Sequence, residues 1–115
     1  MLFRSDDLIK WLKESALTLF KKRTDAFAEI MNTNYASVKI SNAKTRWGSC
    51  NVRTHHININ LALAKKPPEC LEYVVVHELT HILEPSHNAV FWGYMTQFYP
   101  NWKRVRKYLN DEVPE

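Results

Sequence analysis

The stretch from Pro67 to His87 constrains this chain more than any other. Pro67-Pro68-Glu69 opens a helix, because proline is tolerated in a first turn and an acidic residue suits it. Leu71, Val74, Val75, Leu79 and Ile82 recur at helical spacing, and the helix is expected to end near Leu83, before Pro85. Within that apolar pattern stands His77-Glu78-Leu79-Thr80-His81. Residues four apart share a helical face, so His77 and His81 can close on one ion through their ring nitrogens.

Glu78 is about 100° around the helix from His77, too far to be an easy ligand but within reach of a water on the metal. The third ligand is then His87, six positions beyond His81, with Pro85 supplying the break that lets the chain turn back. Three neutral imidazoles and one water make the open tetrahedral site of catalytic zinc, so one Zn²⁺ per chain is expected. With five His and eight Glu in 115 residues, an H-E-x-x-H arises by chance in about one or two shuffled chains per hundred. The enclosing helix and the spare histidine lower that rate further. His55 and His56 are read as strand residues at a hairpin.

The rest of the chain gives the setting. Its 115 residues fit one domain, 1–115, and a 45% hydrophobic content excludes a disordered chain. From Asp6 to Met31 the residues Leu8, Ile9, Leu12, Ala16, Leu19, Phe20, Phe27, Ile30 and Met31 recur at helical spacing, until Asn32-Thr33-Asn34 breaks the pattern. Ala36–Ser41, Arg46–Cys50 and His55–Leu61 read as short strands, the last two as a hairpin, in an antiparallel meander. Asn88–Phe98 and a segment carrying Trp102, Val105 and Leu109 are helices. The fold class is therefore α+β: an N-terminal helix, a short antiparallel sheet, the histidine-bearing helix and C-terminal helices.

No apolar run approaches the roughly 20 residues of a membrane span, the opening Met1–Asp7 turns acidic at once, and Cys50 and Cys70 are read as reduced thiols. A soluble, cytoplasmic protein with no membrane partner is expected. The net charge of +4 gathers in Lys21-Lys22-Arg23, Lys65-Lys66 and Lys103–Lys107. Such clusters suit nucleic acid, yet basic residues also solvate helix ends.

Thr45-Arg46-Trp47-Gly48-Ser49-Cys50, Ile57-Asn58-Ile59-Asn60, Tyr73–His81, His87 and Phe91-Trp92 together resemble the YgjP-like metallopeptidase domain, related in pattern to the SprT-like and WLM zinc peptidases. The resemblance spans about residues 34–109. It implies a small zincin fold with the metal between the active-site helix and a short sheet. It also implies zinc on His77, His81 and His87, Glu78 as general base, and a peptide or protein substrate. Relatives usually carry a longer strand-rich region before the first helix, so a compact form is expected. The histidine spacing equals that of metzincins. Where those have glycine, however, Glu84 stands here, followed by Pro85. Glu84 is a candidate to hold a ligand imidazole, and equally a solvated helix-end acid.

The Arg46–Cys50 segment is the candidate edge for a substrate strand, with Arg46, Trp47 and Gly48 as contacts and Asn58 and Asn60 on the polar face beside it. Alternatively Trp47 is a core residue and Gly48 a bulge. Tyr94 and Tyr99 are candidate oxyanion donors, and Phe91 and Trp92 pack behind the His87 turn. Two other function classes stay open. One is a metal-dependent hydrolase of another bond. The other is a non-catalytic zinc or nucleic-acid-binding module, with Cys50 or Cys70 as a fourth ligand.

Overall fold

The computed structural model describes residues 5–111. Met1–Arg4, in the acidic opening, lie outside the described residues, as do 112–115 of the expected 1–115 domain. Helix α1 covers Ser5–Ile30. It ends because Asn32 adopts φ 53°, with Asn32 N donating to Glu29 O at 3.1 Å and Thr33 N to Ala28 O at 2.9 Å. That paired closure needs a left-handed residue, which asparagine tolerates.

Strands β1 (Ser37–Ser41), β2 (Gly48–Cys50) and β3 (His56–Asn60) form a sheet of order β1-β3-β2. The expected antiparallel meander does not form. β2 and β3 are an antiparallel hairpin, but β1 runs parallel to β3, Ser37 facing His56 and Ser41 facing Asn60. The chain crosses from β1 to the far edge before returning, so β3 is central and β2 keeps one free edge. The hairpin turn is fixed by Asn51, whose Oδ1 accepts from Arg53 N at 2.9 Å and Thr54 N at 3.1 Å, with His55 at φ 64°.

After a 3-10 turn at Leu61–Lys65, α2 spans Pro68–Leu83, α3 Ala89–Phe98 and α4 Trp102–Asp111. Asn88 caps α3, its side chain accepting from Phe91 N. Helix α2 is the hub. Cys70, Leu71, Val74, Val75, Val76 and Leu79 are buried, and α1, β2, α3 and α4 pack around it. Ile57 and Ile59 from β3, Phe20 from α1, Phe91 and Met95 from α3, and Val105 and Leu109 from α4 complete the core.

Only part of α1 joins that core. Ala16, Phe20, Thr24 and Ala28 are buried, as is Met31 just past its end, whereas Leu8, Ile9, Leu12, Leu19 and Ile30 stay exposed. At 1.5 Å per residue the helix is about 39 Å long, and it outruns the elements available to cover it. Asn60 is another departure. It is buried, 3% exposed, with its side chain turned onto the backbone of the loop before β2.

Candidate metal centre

Helix α2 presents His77 and His81 on one face, and the turn after Leu83 returns His87 to them. One ligand atom from each of the three lies within 4.8 Å of the others. Among the described residues this is the cluster that could hold a metal ion, and it includes neither Cys50 nor Cys70. A closed four-ligand site with a cysteine is therefore not assembled.

The ring nitrogens are sorted by their neighbours. His81 Nδ1 lies 3.1 Å from Pro85 O, and His77 Nδ1 lies 3.5 Å from the Tyr73 hydroxyl. Each contact occupies Nδ1 and leaves Nε2 for an ion. His87 Nε2 stands 3.2 Å from His77 Nε2. Two nitrogens sharing a tetrahedral zinc at about 2.05 Å would be about 3.3 Å apart, so the pair has the spacing of co-ligands. Glu84 meets His81 through its backbone, and its side chain turns elsewhere. Its carboxylate accepts from Asn88 Nδ2, tying the helix end to the cap of α3.

Phe91, fully buried, is the centre around which the imidazoles are set. Its ring centroid is 4.9, 4.7 and 4.8 Å from those of His77, His81 and His87. Trp92 stacks on His87 at 22° and on Trp102 at 26°, which makes an aromatic column behind the turn.

Burial, with the charges of His81, His87 and Arg106 adding to it, pushes His77 down to about 3. Burial and then His87 likewise lower His81. In the metal-free protein His77 is a neutral donor at any physiological pH, the form a metal ligand needs. Glu78 is 5% exposed, and burial pushes its carboxyl up to about 8 against the opposing charge of Arg46. A carboxylate with that proton affinity is suited to take up and return a proton near neutrality.

Arg46, Trp47 and Gly48 all reach the site. A cavity of about 420 Å³ is lined by Arg46, Gly48, Ser49, Cys50, Val52, His77, Glu78, His81, Pro85 and His87. A smaller one, about 180 Å³, lies across Gly48 and Glu78, walled by Trp47, Tyr73, Val74, Leu109 and Arg106. Trp47 is half-buried, and its Nε1 donates to Leu109 O at 3.1 Å, pinning the entry of β2 to α4. Cys50 faces the larger cavity, its thiol pushed up to about 11 by burial and then by Glu78.

Tyr94 is not brought to these cavities; it stacks on Phe98 at 18°. Tyr99 donates to Glu69 O and Glu72 Oε1 and anchors the start of α2. Tyr73 and Arg106 line the smaller cavity instead. The i−4 spacing from His77 could have pointed to Tyr73; Arg106 carried no such signal. His56 pairs with Ser37 Oγ at 2.6 Å, on the sheet. In the basic segment of α4, Arg104 pairs with Glu69, Lys103 lies over Trp102 and Arg106 over Trp92.

A helix carrying two imidazoles and a buried carboxylate against a sheet edge, with a third imidazole from the following turn, defines a metallopeptidase fold. The chain belongs to the YgjP-like metallopeptidase family, whose domain model matches residues 3–112. Two solved structures share the fold, both of metallopeptidase zymogens. Abylysin of Pyrococcus abyssi aligns at TM-score 0.70 and 18% identity, covering 76% of this chain and 89% of its own. Jannalysin of Methanocaldococcus jannaschii aligns at 0.69 and 18%, covering 81% and 95%. No curated protein gives a significant match. Family membership makes the chain a hydrolase that uses a metal and acts on peptide or protein. No helix among the described residues is long and apolar enough to cross a membrane.

Proposed function

We propose that the chain is a single-domain zinc peptidase in which His77, His81 and His87 hold one Zn²⁺ and Glu78 is the proton carrier. The observation that carries this is the 3.2 Å separation of His77 and His87 Nε2 on a helix that also buries Glu78. Zinc, when bound, supplies a water of lowered pKa and an electrophile for the scissile carbonyl. Glu78 accepts a proton from the attacking water and returns it to the leaving amine. Gly48–Cys50, on the free edge of β2, offers main-chain groups to an extended peptide. Arg46 holds positive charge beside Glu78. Cys50 and Cys70 are not joined in a disulfide, which suits a reducing compartment, the cytoplasm.

The test is metal content per chain by plasma mass spectrometry, with His87→Ala alongside and peptide cleavage measured for Glu78→Gln. One zinc per chain, lost in the His87 variant, and a Glu78 variant that keeps zinc but loses turnover are expected. A chain that binds no metal after zinc is added back, or a Glu78→Gln variant that cleaves normally, would sink the assignment.

A further inference from the structure

We infer that Arg106 forms a carboxylate-binding subsite beside Glu78, so that the enzyme selects peptides bearing a carboxylate next to the cleaved bond. This rests on the peptidase assignment and adds a substrate class to it.

The site consists of two depressions that share Gly48, His77 and Glu78. One contains the three imidazoles; the other, of about 180 Å³, has Arg106 as its cation. An extended peptide laid along the free edge of β2 passes Gly48, the residue common to both. Side chains alternate along such a strand, so a group near the scissile carbonyl on one side falls toward Arg106.

Among the described residues Arg106 has no carboxylate partner. Its guanidinium carbon lies 5.1 Å from the ring centroid of Trp92, which is itself fixed between His87 and Trp102. Arg104, two residues earlier, is taken by Glu69 through contacts of 3.1 and 2.7 Å. Among the described residues Arg106 forms no ion pair. Its charge acts on His77 and Tyr73, which line the same pocket. Glu78, the acid of the same depression, is buried and forms no ion pair with the guanidinium. A planar cation over an indole in the lining of a short pocket is built to take a carboxylate in bidentate fashion. That carboxylate has two sources, an Asp or Glu side chain or the substrate's own C-terminus.

Binding separates this subsite from turnover. Fluorescein-labelled hexapeptides are titrated against the zinc-loaded Glu78→Gln protein by anisotropy. One pair differs as Glu against Gln at a single position, and another as free C-terminal acid against amide. Acid peptides should bind about tenfold more tightly than their amides, in whichever pair matches the true source. Adding Arg106→Gln should abolish the difference by weakening only the acid member, and Arg106→Lys should restore part of it. Zinc content and melting temperature should not change. Equal binding of acid and amide in both pairs overturns the inference. So does an Arg106→Gln variant that weakens both members alike, which would mark Arg106 as structural. Charge-selective binding with no peptide cleavage by the zinc-loaded wild type would refute the peptidase assignment and support the subsite.

Discussion

A methyl group on the α-carbon of Gly48 would lie 3.0 Å from Glu78 Oε2, 2.7 Å from Val74 Cγ1 and 3.2 Å from Asn58 O. The β2 backbone thus passes directly over the buried carboxylate, and the absence of a side chain permits it. Glu78 and β2 are held in contact by this approach.

Gly48→Ala should therefore impair the site before it impairs the fold. Two of the three neighbours, Val74 on α2 and the Asn58 carbonyl on β3, sit in packed elements. Overpacking of this kind costs about 1–3 kcal/mol. Urea denaturation should show that loss, and peptide cleavage should fall more than the unfolded fraction explains. Pairing it with Val74→Ala, which removes the shortest contact, should recover part of the stability. An alanine variant as active as wild type would show that β2 does not depend on this approach.

Phe91 offers a test of how the imidazoles are set. Its ring touches all three, and no metal contact is asked of it. Phe91→Ala should cost about 3–5 kcal/mol through the cavity it leaves. It should also weaken zinc affinity by about 10- to 100-fold, as loss of an orienting neighbour does. Competition with a chromophoric chelator measures the second effect, and Phe91→Leu, which fills most of the cavity, should avoid most of the first. Unchanged zinc affinity in the alanine variant would mean that the turn and α2 position the ligands unaided.

Much of this was legible in the residues, because the signals were local. The proline start at Pro67-Pro68, the break at Pro85 and the i,i+4 histidines each act within one or two turns, and α2 begins and ends where those signals place it. The β2–β3 hairpin was equally local. The parallel pairing of β1 with β3 was not, since Ala36–Ser41 alternates identically whichever way it is paired. Leu8 and Leu12 share the periodicity of Phe20 but stay exposed among the described residues. Arg106 reaches the site from α4, about thirty residues after His77, and no spacing rule links them.

Asn60 shows how a polar strand residue can act inward. Its Nδ2 donates to Ala43 O at 2.7 Å and Arg46 O at 2.9 Å, and its Oδ1 accepts from Ala62 N at 2.9 Å. One side chain thus pins the loop that delivers Arg46 and Trp47 and caps the following turn. Asn60→Ala leaves these groups without partners in a buried place, at about 1–3 kcal/mol for an unsatisfied group. Thermal unfolding should report the loss, while zinc content stays at the wild-type level. A variant of wild-type stability would mean that water replaces the amide.

The metal-free protein should lose stability as pH rises from about 6.5 to 8. Glu78 is raised from 4.5 to about 8, so the native chain holds a proton there that the unfolded chain has released. The stability this contributes is present below 4.5 and disappears as pH climbs through 8. His77 is lowered from 6.5 to about 3, which makes the unfolded chain the better proton binder in that interval. It therefore opposes Glu78 between 4.5 and 6.5 and is silent above. One proton corresponds to a slope of at most about 1.4 kcal/mol per pH unit. Urea titrations of chelator-treated protein from pH 6.5 to 8 should show the decline, and Glu78→Gln should flatten it. Loading with zinc should reverse its sign, because binding needs deprotonated ligands and the cation favours a charged Glu78. A metal-free wild type whose stability is flat or rising over that interval would show that Glu78 is ionised before the metal arrives.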